Sequence, residues 1–132
     1  MAVELESGPV TGQASSRAVT WEWLGLPFAA PPVGELRWQA PQPANAREEN
    51  LAATAFAPEC PHYDFFGNFV GEEDCLYLNV WRPQSQERDL PVFLWIHGGS
   101  NTTGSANWPV YNGARLAEQA NIVVVTVQYR LG

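Results

Sequence analysis

The amino-acid sequence predicts an α/β fold containing strands of a mostly parallel sheet. Two almost continuous apolar segments, residues 92–97 (VFLWIH) and 121–129 (NIVVVTVQY), are typical of strands buried on both faces of such a sheet. The segment between them, residues 109–120, is compatible with a short helix and is long enough for a parallel crossover. The order strand, helix, strand predicts a βαβ unit, and a third strand is predicted in LYLNVW, residues 76–81.

Composition narrows the class of protein. The 132 residues suffice for one domain, and 45% of them are hydrophobic, so a sizeable core can form. The net charge of −7 and the absence of lysine argue against nucleic acid or an anionic membrane as a partner. No segment approaches the roughly 20 apolar residues of a membrane-spanning helix.

The N-terminal residues 1–25 show the alternation of short strands. Alternation over Val3 to Glu6 is followed by a turn predicted at Gly8-Pro9. In the next segment, one face is predicted to carry Val19, Trp21 and Trp23, and the other Thr20 and Glu22. This pattern predicts a hairpin with one solvated face, a surface ribbon without chemistry.

Residues 26–75 are predicted to be irregular because five prolines between positions 27 and 43 exclude a long helix or a central strand. Cys60 and Cys75 permit one disulfide but do not require it. A bridge would close a loop of roughly 15 residues, worth about 3 kcal/mol on the chain-entropy model. Metal binding by Cys60, His62 and Cys75 is less favoured because neither a CxxC nor a paired-histidine spacing is present.

A glycine-rich segment, His97-Gly98-Gly99-Ser100, follows the predicted strand at its carboxyl end, where sites form in open parallel sheets. Glycines allow backbone N–H groups to approach a ligand, and converging N–H groups can hold a phosphate or a developing oxyanion. The alternative is a plain turn in which His97 is a hydrogen-bonded structural residue. A catalytic base at His97 is less favoured, since no activated nucleophile is nearby.

Several motifs are absent or incomplete. The sequence contains neither GxxxxGK[ST] nor GxGxxG, which excludes the common phosphate loops, and no cofactor is expected. The pattern GxSxG fails because Thr102 stands where its second glycine would be. The glycosylation sequon at Asn101 is interpreted as a chance match, because a glycan would block the loop.

Three motifs, in this order, resemble the N-terminal part of type-B carboxylesterases, the cholinesterase-like branch of the α/β-hydrolases. The first is GLPFAAPPVGELRWQAPQP at 25–43, and the second, EDCLYLNVWRP at 73–83, matches the family's cysteine signature. The third is WIHGGS at 95–100, with GSA after it and VVVTVQYRLG closing the chain, similar to the family's HGGG loop and NYRLG strand. The resemblance covers nearly the whole chain, so residues 1–132 are expected to be the N-terminal fragment of a single α/β-hydrolase domain.

The resemblance implies roles for individual residues. Backbone N–H groups of Gly99 and Ser100 would form an oxyanion hole, with Gly98 supporting the turn. Cys60 and Cys75 would form the family's first disulfide, and Arg37 would pair with Glu73 as a structural, non-catalytic ion pair. The third glycine of the family's loop is Ser100 here, so a Cβ has to be accommodated, and Asn101 stands where many members have an aromatic residue.

The resemblance also implies a function for a longer parent protein. The family's nucleophilic serine, acidic residue and catalytic histidine follow the last residue of this chain, so the 132 residues are expected to be inactive alone and to act on small-molecule esters within the parent. A catalytically inactive, cholinesterase-like adhesion module is the alternative. The lysine-free, arginine- and alanine-rich composition resembles that of high-GC bacterial proteins, whereas adhesion members are animal proteins, which favours the enzyme.

The sequence does not decide the cellular compartment of the protein. A disulfide between Cys60 and Cys75 would imply secretion or the periplasm. The N-terminus has neither a basic nor an apolar leader region, and if that absence is genuine the protein is cytoplasmic. The sequence does not indicate an oligomeric state.

Overall fold

The computed structural model describes residues 1–132 as ten strands, one α-helix and two short 3₁₀ turns. The 3₁₀ turns are Gly34–Leu36 and Pro109–Tyr111, and the helix α1 is Ala114–Ala120. The strands are β1 (Ala2–Leu5), β2 (Gly8–Thr11), β3 (Gln13–Ala14), β4 (Thr20–Pro27), β5 (Leu51–Ala52), β6 (His62–Tyr63), β7 (Phe69–Val70), β8 (Tyr77–Pro83), β9 (Val92–Ile96) and β10 (Val123–Val127).

A five-stranded mixed sheet organises the chain in the order β3-β4-β8-β10-β9. Strands β9 and β10 pair in parallel, with Leu94 opposite Val125, and α1 connects them, which confirms the predicted βαβ unit. The other neighbouring strands are antiparallel. Helix α1 ends at Ala120, and the next residue, Asn121, has a φ of +53°, the left-handed conformation that commonly terminates helices.

The helix packs on the sheet through its smallest side chains. Ala114 and Ala117 are fully buried against Trp81 of β8, Val124 of β10 and Leu24 of β4. Alanine at both helical positions lets the helix axis approach the large Trp81 indole, which is itself fully buried. This cluster fixes α1, and with it the crossover, on one face of the sheet.

The predicted N-terminal surface ribbon is wrong for the segment that contains Glu22. Strand β4 lies inside the sheet between β3 and β8, so Thr20 and Glu22 are buried instead of solvated. The Glu22 carboxylate accepts hydrogen bonds from Trp81 Nε1 at 3.1 Å and Gln13 Nε2 at 3.0 Å, which compensate its burial. The first turn lies at Glu6-Ser7, and Gly8-Pro9 already belongs to β2.

Strand β9 is exposed within these 132 residues, although its apolar sequence is typical of a strand buried on both faces. The strand lies at the edge of the sheet, and its five side chains are 36% to 66% exposed. Its apolar sequence is compatible with a central position, but β10 is its only neighbour in the structure.

No helix has the length and apolar character needed to span a bilayer.

Cys60 and Cys75 form a disulfide, and both are fully buried beside Ala29 and Leu76. The metal alternative at these cysteines is therefore wrong, because each sulfur is bonded to the other. Inside the bridged loop, β6 and β7 form a two-stranded hairpin with Tyr63 opposite Phe69. The Asp64 carboxylate accepts hydrogen bonds from the backbone N–H groups of Phe66 and Asn68, which orders the hairpin tip.

One titration is expected to affect stability at alkaline pH. Burial, together with the nearby Asp74 and Glu72 carboxylates, raises the pKa of Tyr77 from 10.0 to about 12. Because the folded protein favours the neutral phenol, the free energy of unfolding should be unaffected by Tyr77 below about pH 10 and should fall from there to about pH 12. Urea denaturation of the wild type and Tyr77→Phe across this range measures the effect. Parallel alkaline losses in both proteins would contradict it.

Candidate active site

The His-Gly-Gly-Ser segment begins the loop that follows the carboxyl end of β9. The His97 ring is buried and stacks on Tyr129, with ring centroids 4.3 Å apart and planes 17° apart. Tyr129 also donates its phenol hydrogen to the His97 carbonyl oxygen at 2.6 Å. The start of the loop is thus attached to the chain that follows β10.

The end of the loop is attached to the same region. The Gln128 side chain accepts a hydrogen bond from the Ala106 N–H at 3.0 Å and donates one to Ser105 Oγ at 2.9 Å. In the middle of the loop, Asn101 accepts a hydrogen bond at its carbonyl from the Gly132 N–H at 2.8 Å. Three separate anchors therefore hold a loop that has no regular secondary structure.

Two glycines are required by the loop's geometry. Gly99 has a φ of +127°, and a Cβ there would lie 1.8 Å from the Thr103 carbonyl oxygen. Gly104 has a φ of +113°, and a Cβ there would lie 2.6 Å from His97 Nδ1. Gly98 differs from both, since a Cβ on it would meet no atom within 4 Å and its φ is not in the left-handed region. The backbone folds back on itself at Gly99 and Gly104 because these residues lack a side chain.

The N–H groups of Gly99 and Ser100 make no hydrogen bond within the chain. The Gly99 carbonyl, by contrast, accepts hydrogen bonds from the N–H groups of Thr102 at 3.0 Å and Thr103 at 3.1 Å. Consecutive N–H groups without an internal acceptor are available to an external anionic oxygen.

Ser100 and Asn101 both adopt left-handed backbone conformations, with φ of +55° and +60°. This conformation costs a residue other than glycine about 1–2 kcal/mol. The three anchors of the loop offset that cost, and its persistence in a held loop is typical of functional sites.

His97 occupies a structural position. Its Nδ1 lies 2.9 Å from the Gly98 carbonyl oxygen, which requires the proton to be on Nδ1 because a carbonyl can only accept. Its Nε2 is buried and has no hydrogen-bond partner. No hydroxyl or thiol of these 132 residues lies within hydrogen-bond distance of the ring.

Arg37 and Glu73 form the ion pair expected from the resemblance, with Nε 2.7 Å from Oε1. The pair joins the segment after the first 3₁₀ turn to the disulfide loop, and the guanidinium also lies 5.4 Å from the centre of the Trp38 ring. Both side chains are roughly half exposed, so the pair contributes at most about 1 kcal/mol and serves to position the segment.

Sequence reasoning missed Tyr129, Gln128 and Thr102 as residues that support the loop. Tyr129 and Gln128 lie more than twenty residues away along the chain, and only the parallel pairing of β9 with β10 brings them to the loop. Gly104 could have been found from the sequence, because it belongs to the GSA segment of the third motif. Thr102 belongs to no motif, so the sequence does not indicate its contact with the loop.

Comparison with known proteins identifies the family. The model of the carboxylesterase family matches residues 1–132. The para-nitrobenzyl esterase of Bacillus subtilis is 44% identical over 117 residues, which are 84% of this chain and 24% of that protein. The fumonisin B1 esterase of Sphingopyxis macrogoltabida is 45% identical over 115 residues, or 83% of this chain and 21% of that protein.

Solved structures agree with this assignment. A PNB esterase superimposes with a TM-score of 0.91 at 40% identity, covering 99% of this chain and 28% of that structure. The Geobacillus stearothermophilus carboxylesterase EST55 gives a TM-score of 0.88 at 36% identity, and the match covers 99% of this chain and 27% of that structure. The chain spans about a quarter of the length of these relatives. It therefore belongs to the carboxylesterase family, and its strands are those of an N-terminal partial α/β-hydrolase fold.

Proposed function

We propose that this chain supplies the oxyanion hole of a carboxylic ester hydrolase, with the backbone N–H groups of Gly99 and Ser100 as the two donors. The observation that carries the proposal is that these consecutive N–H groups have no acceptor within the chain, although they lie in an anchored loop. Gly98 links this pair of donors to the His97 anchor. The family assignment supports ester hydrolysis as the reaction.

The remainder of the parent protein would contribute the serine, the histidine and the acidic residue of a triad. The serine oxygen forms a bond to the ester carbonyl carbon while its proton passes to the histidine, and negative charge develops on the carbonyl oxygen. The two N–H groups stabilise that charge. The alcohol then leaves with the proton from histidine, and water releases the acid from the acyl-enzyme by the same steps.

The substrate class follows from the same chemistry. An oxyanion hole made of main-chain donors recognises the reacting carbonyl and makes no demand on the acyl or alcohol group. The relatives are named for esters as different as para-nitrobenzyl compounds and fumonisin B1. We therefore assign the parent small-molecule carboxylic esters as a class.

Covalent labelling of the full-length protein that carries this segment tests the proposal. A fluorophosphonate, which phosphorylates activated serines, is expected to label one serine per chain and to abolish hydrolysis of p-nitrophenyl acetate. The labelled serine should lie in a GxSxG sequence encoded after codon 132. A folded full-length protein that neither hydrolyses the ester nor takes up the label would overturn the proposal and favour an inactive binding module.

A further inference from the structure

The direction of each donor in the glycine-rich loop is set by the carbonyl on the other side of the same peptide bond. A peptide group is planar, and in the trans form its N–H points away from its C=O. The chain contains no cis peptide bond. Whatever holds the Gly99 carbonyl therefore also fixes the Ser100 N–H in the opposite direction.

Three hydrogen bonds converge on the Gly99 carbonyl oxygen. Two come from the backbone N–H groups of Thr102 and Thr103, and the third comes from the Thr102 hydroxyl, with Oγ1 3.1 Å from the oxygen. The hydroxyl bond is the only one of the three made by a side chain. It is therefore the one that a substitution can remove without changing the backbone.

We propose that Thr102 is a positioning residue for the reaction, acting through the Gly99–Ser100 peptide to aim the Ser100 N–H at the oxyanion. The inference rests on the proposed function and adds to it a residue that does not touch the substrate. A hydroxyl bond to Gly99 limits rotation of this peptide plane, whose two flanking residues both have positive φ. A plane free to rotate would present its N–H less often in the productive direction.

Neighbouring threonines provide a matched pair of variants. Thr102→Val removes the hydroxyl while keeping the β-branched shape, and Thr102→Ser restores a hydroxyl. Thr103→Val makes the same chemical change one residue later, where the hydroxyl donates to the Tyr63 carbonyl at 3.1 Å and not to Gly99. Because Thr102 is exposed, its substitution is expected to leave folding intact.

The full-length protein, produced in a bacterial host so that the Asn101 sequon stays unmodified, is assayed with p-nitrophenyl acetate. Thr102→Val is expected to lower kcat by about three- to tenfold with little change in KM, since one hydrogen bond that orients the donor is lost. Thr102→Ser should recover most of the activity. Affinity for a trifluoromethyl ketone, which forms the tetrahedral oxyanion, should fall by the same factor as kcat.

The outcomes separate this inference from the proposed function. An active wild type whose kcat is matched by that of Thr102→Val would overturn the role of Thr102 while leaving the oxyanion hole in place. A rise in KM at unchanged kcat would also overturn it, because that result indicates lost ground-state binding. A wild type without esterase activity would overturn both.

Discussion

Replacing Gly99 by alanine in the full-length protein is expected to lower ester turnover by a factor of about 10²–10³, the usual effect of losing one oxyanion-hole donor. The added Cβ would lie 1.8 Å from the Thr103 carbonyl oxygen at a φ of +127°, so the backbone has to move. Movement at this position redirects the Gly99 N–H, one of the two proposed donors. Steady-state hydrolysis of p-nitrophenyl acetate measures the loss.

The neighbouring glycine provides the control for folding. A Cβ at Gly98 meets no atom within 4 Å, so Gly98→Ala is expected to keep the free energy of unfolding of the wild type. Gly99→Ala should lower it, because the alanine is forced into a strained conformation. Equal stability and near-normal turnover of Gly99→Ala would show that the loop is not held as described, and the oxyanion assignment would fail.

Removal of the disulfide by the double substitution Cys60→Ala and Cys75→Ala is expected to lower the free energy of unfolding by about 3 kcal/mol. The bridge spans 15 residues, and without it the unfolded chain regains the entropy of that loop. The loop also carries the hairpin whose Tyr63 carbonyl accepts the Thr103 hydroxyl. Urea denaturation of the oxidised wild type and the double variant measures the difference.

Reduced wild-type protein serves as the matched comparison, because it loses the covalent bond but keeps both sulfur atoms in the core. It should resemble the double variant in stability, apart from the small packing effect of the sulfurs. A double variant as stable as the oxidised wild type would show that the loop is held by its other contacts, such as the Arg37–Glu73 pair.

Much of the fold could be predicted because the relevant signals are local. The apolar segments at 92–97 and 121–129 and the helical segment between them specify a βαβ unit by periodicity and length. The motifs around Arg37, Cys75 and Gly99 are specific enough by themselves to indicate the family. Glycine is the informative residue at position 99, since only a residue without a side chain fits there.

The sequence is least informative where burial depends on distant neighbours. Alternation around Glu22 predicted a solvated face, but pairing of β4 with β8 buries that carboxylate, which accepts a hydrogen bond from Trp81 Nε1. Conversely, the apolar sequence of β9 is typical of a buried strand, whereas within these 132 residues β9 has one neighbour and exposes both faces. Periodicity reports the pattern of side chains along a strand and contains no information about which strands lie beside it.

By itself, the sequence determined the class of fold, the family and the residues of the glycine-rich loop. Only the tertiary structure decided that the N–H groups of Gly99 and Ser100 have no acceptor within the chain, while three donors hold the Gly99 carbonyl. The physical reason is that a hydrogen bond requires a partner at a defined distance and angle. For this loop those partners include Gln128 and Tyr129, which the parallel pairing of β9 with β10 brings to it.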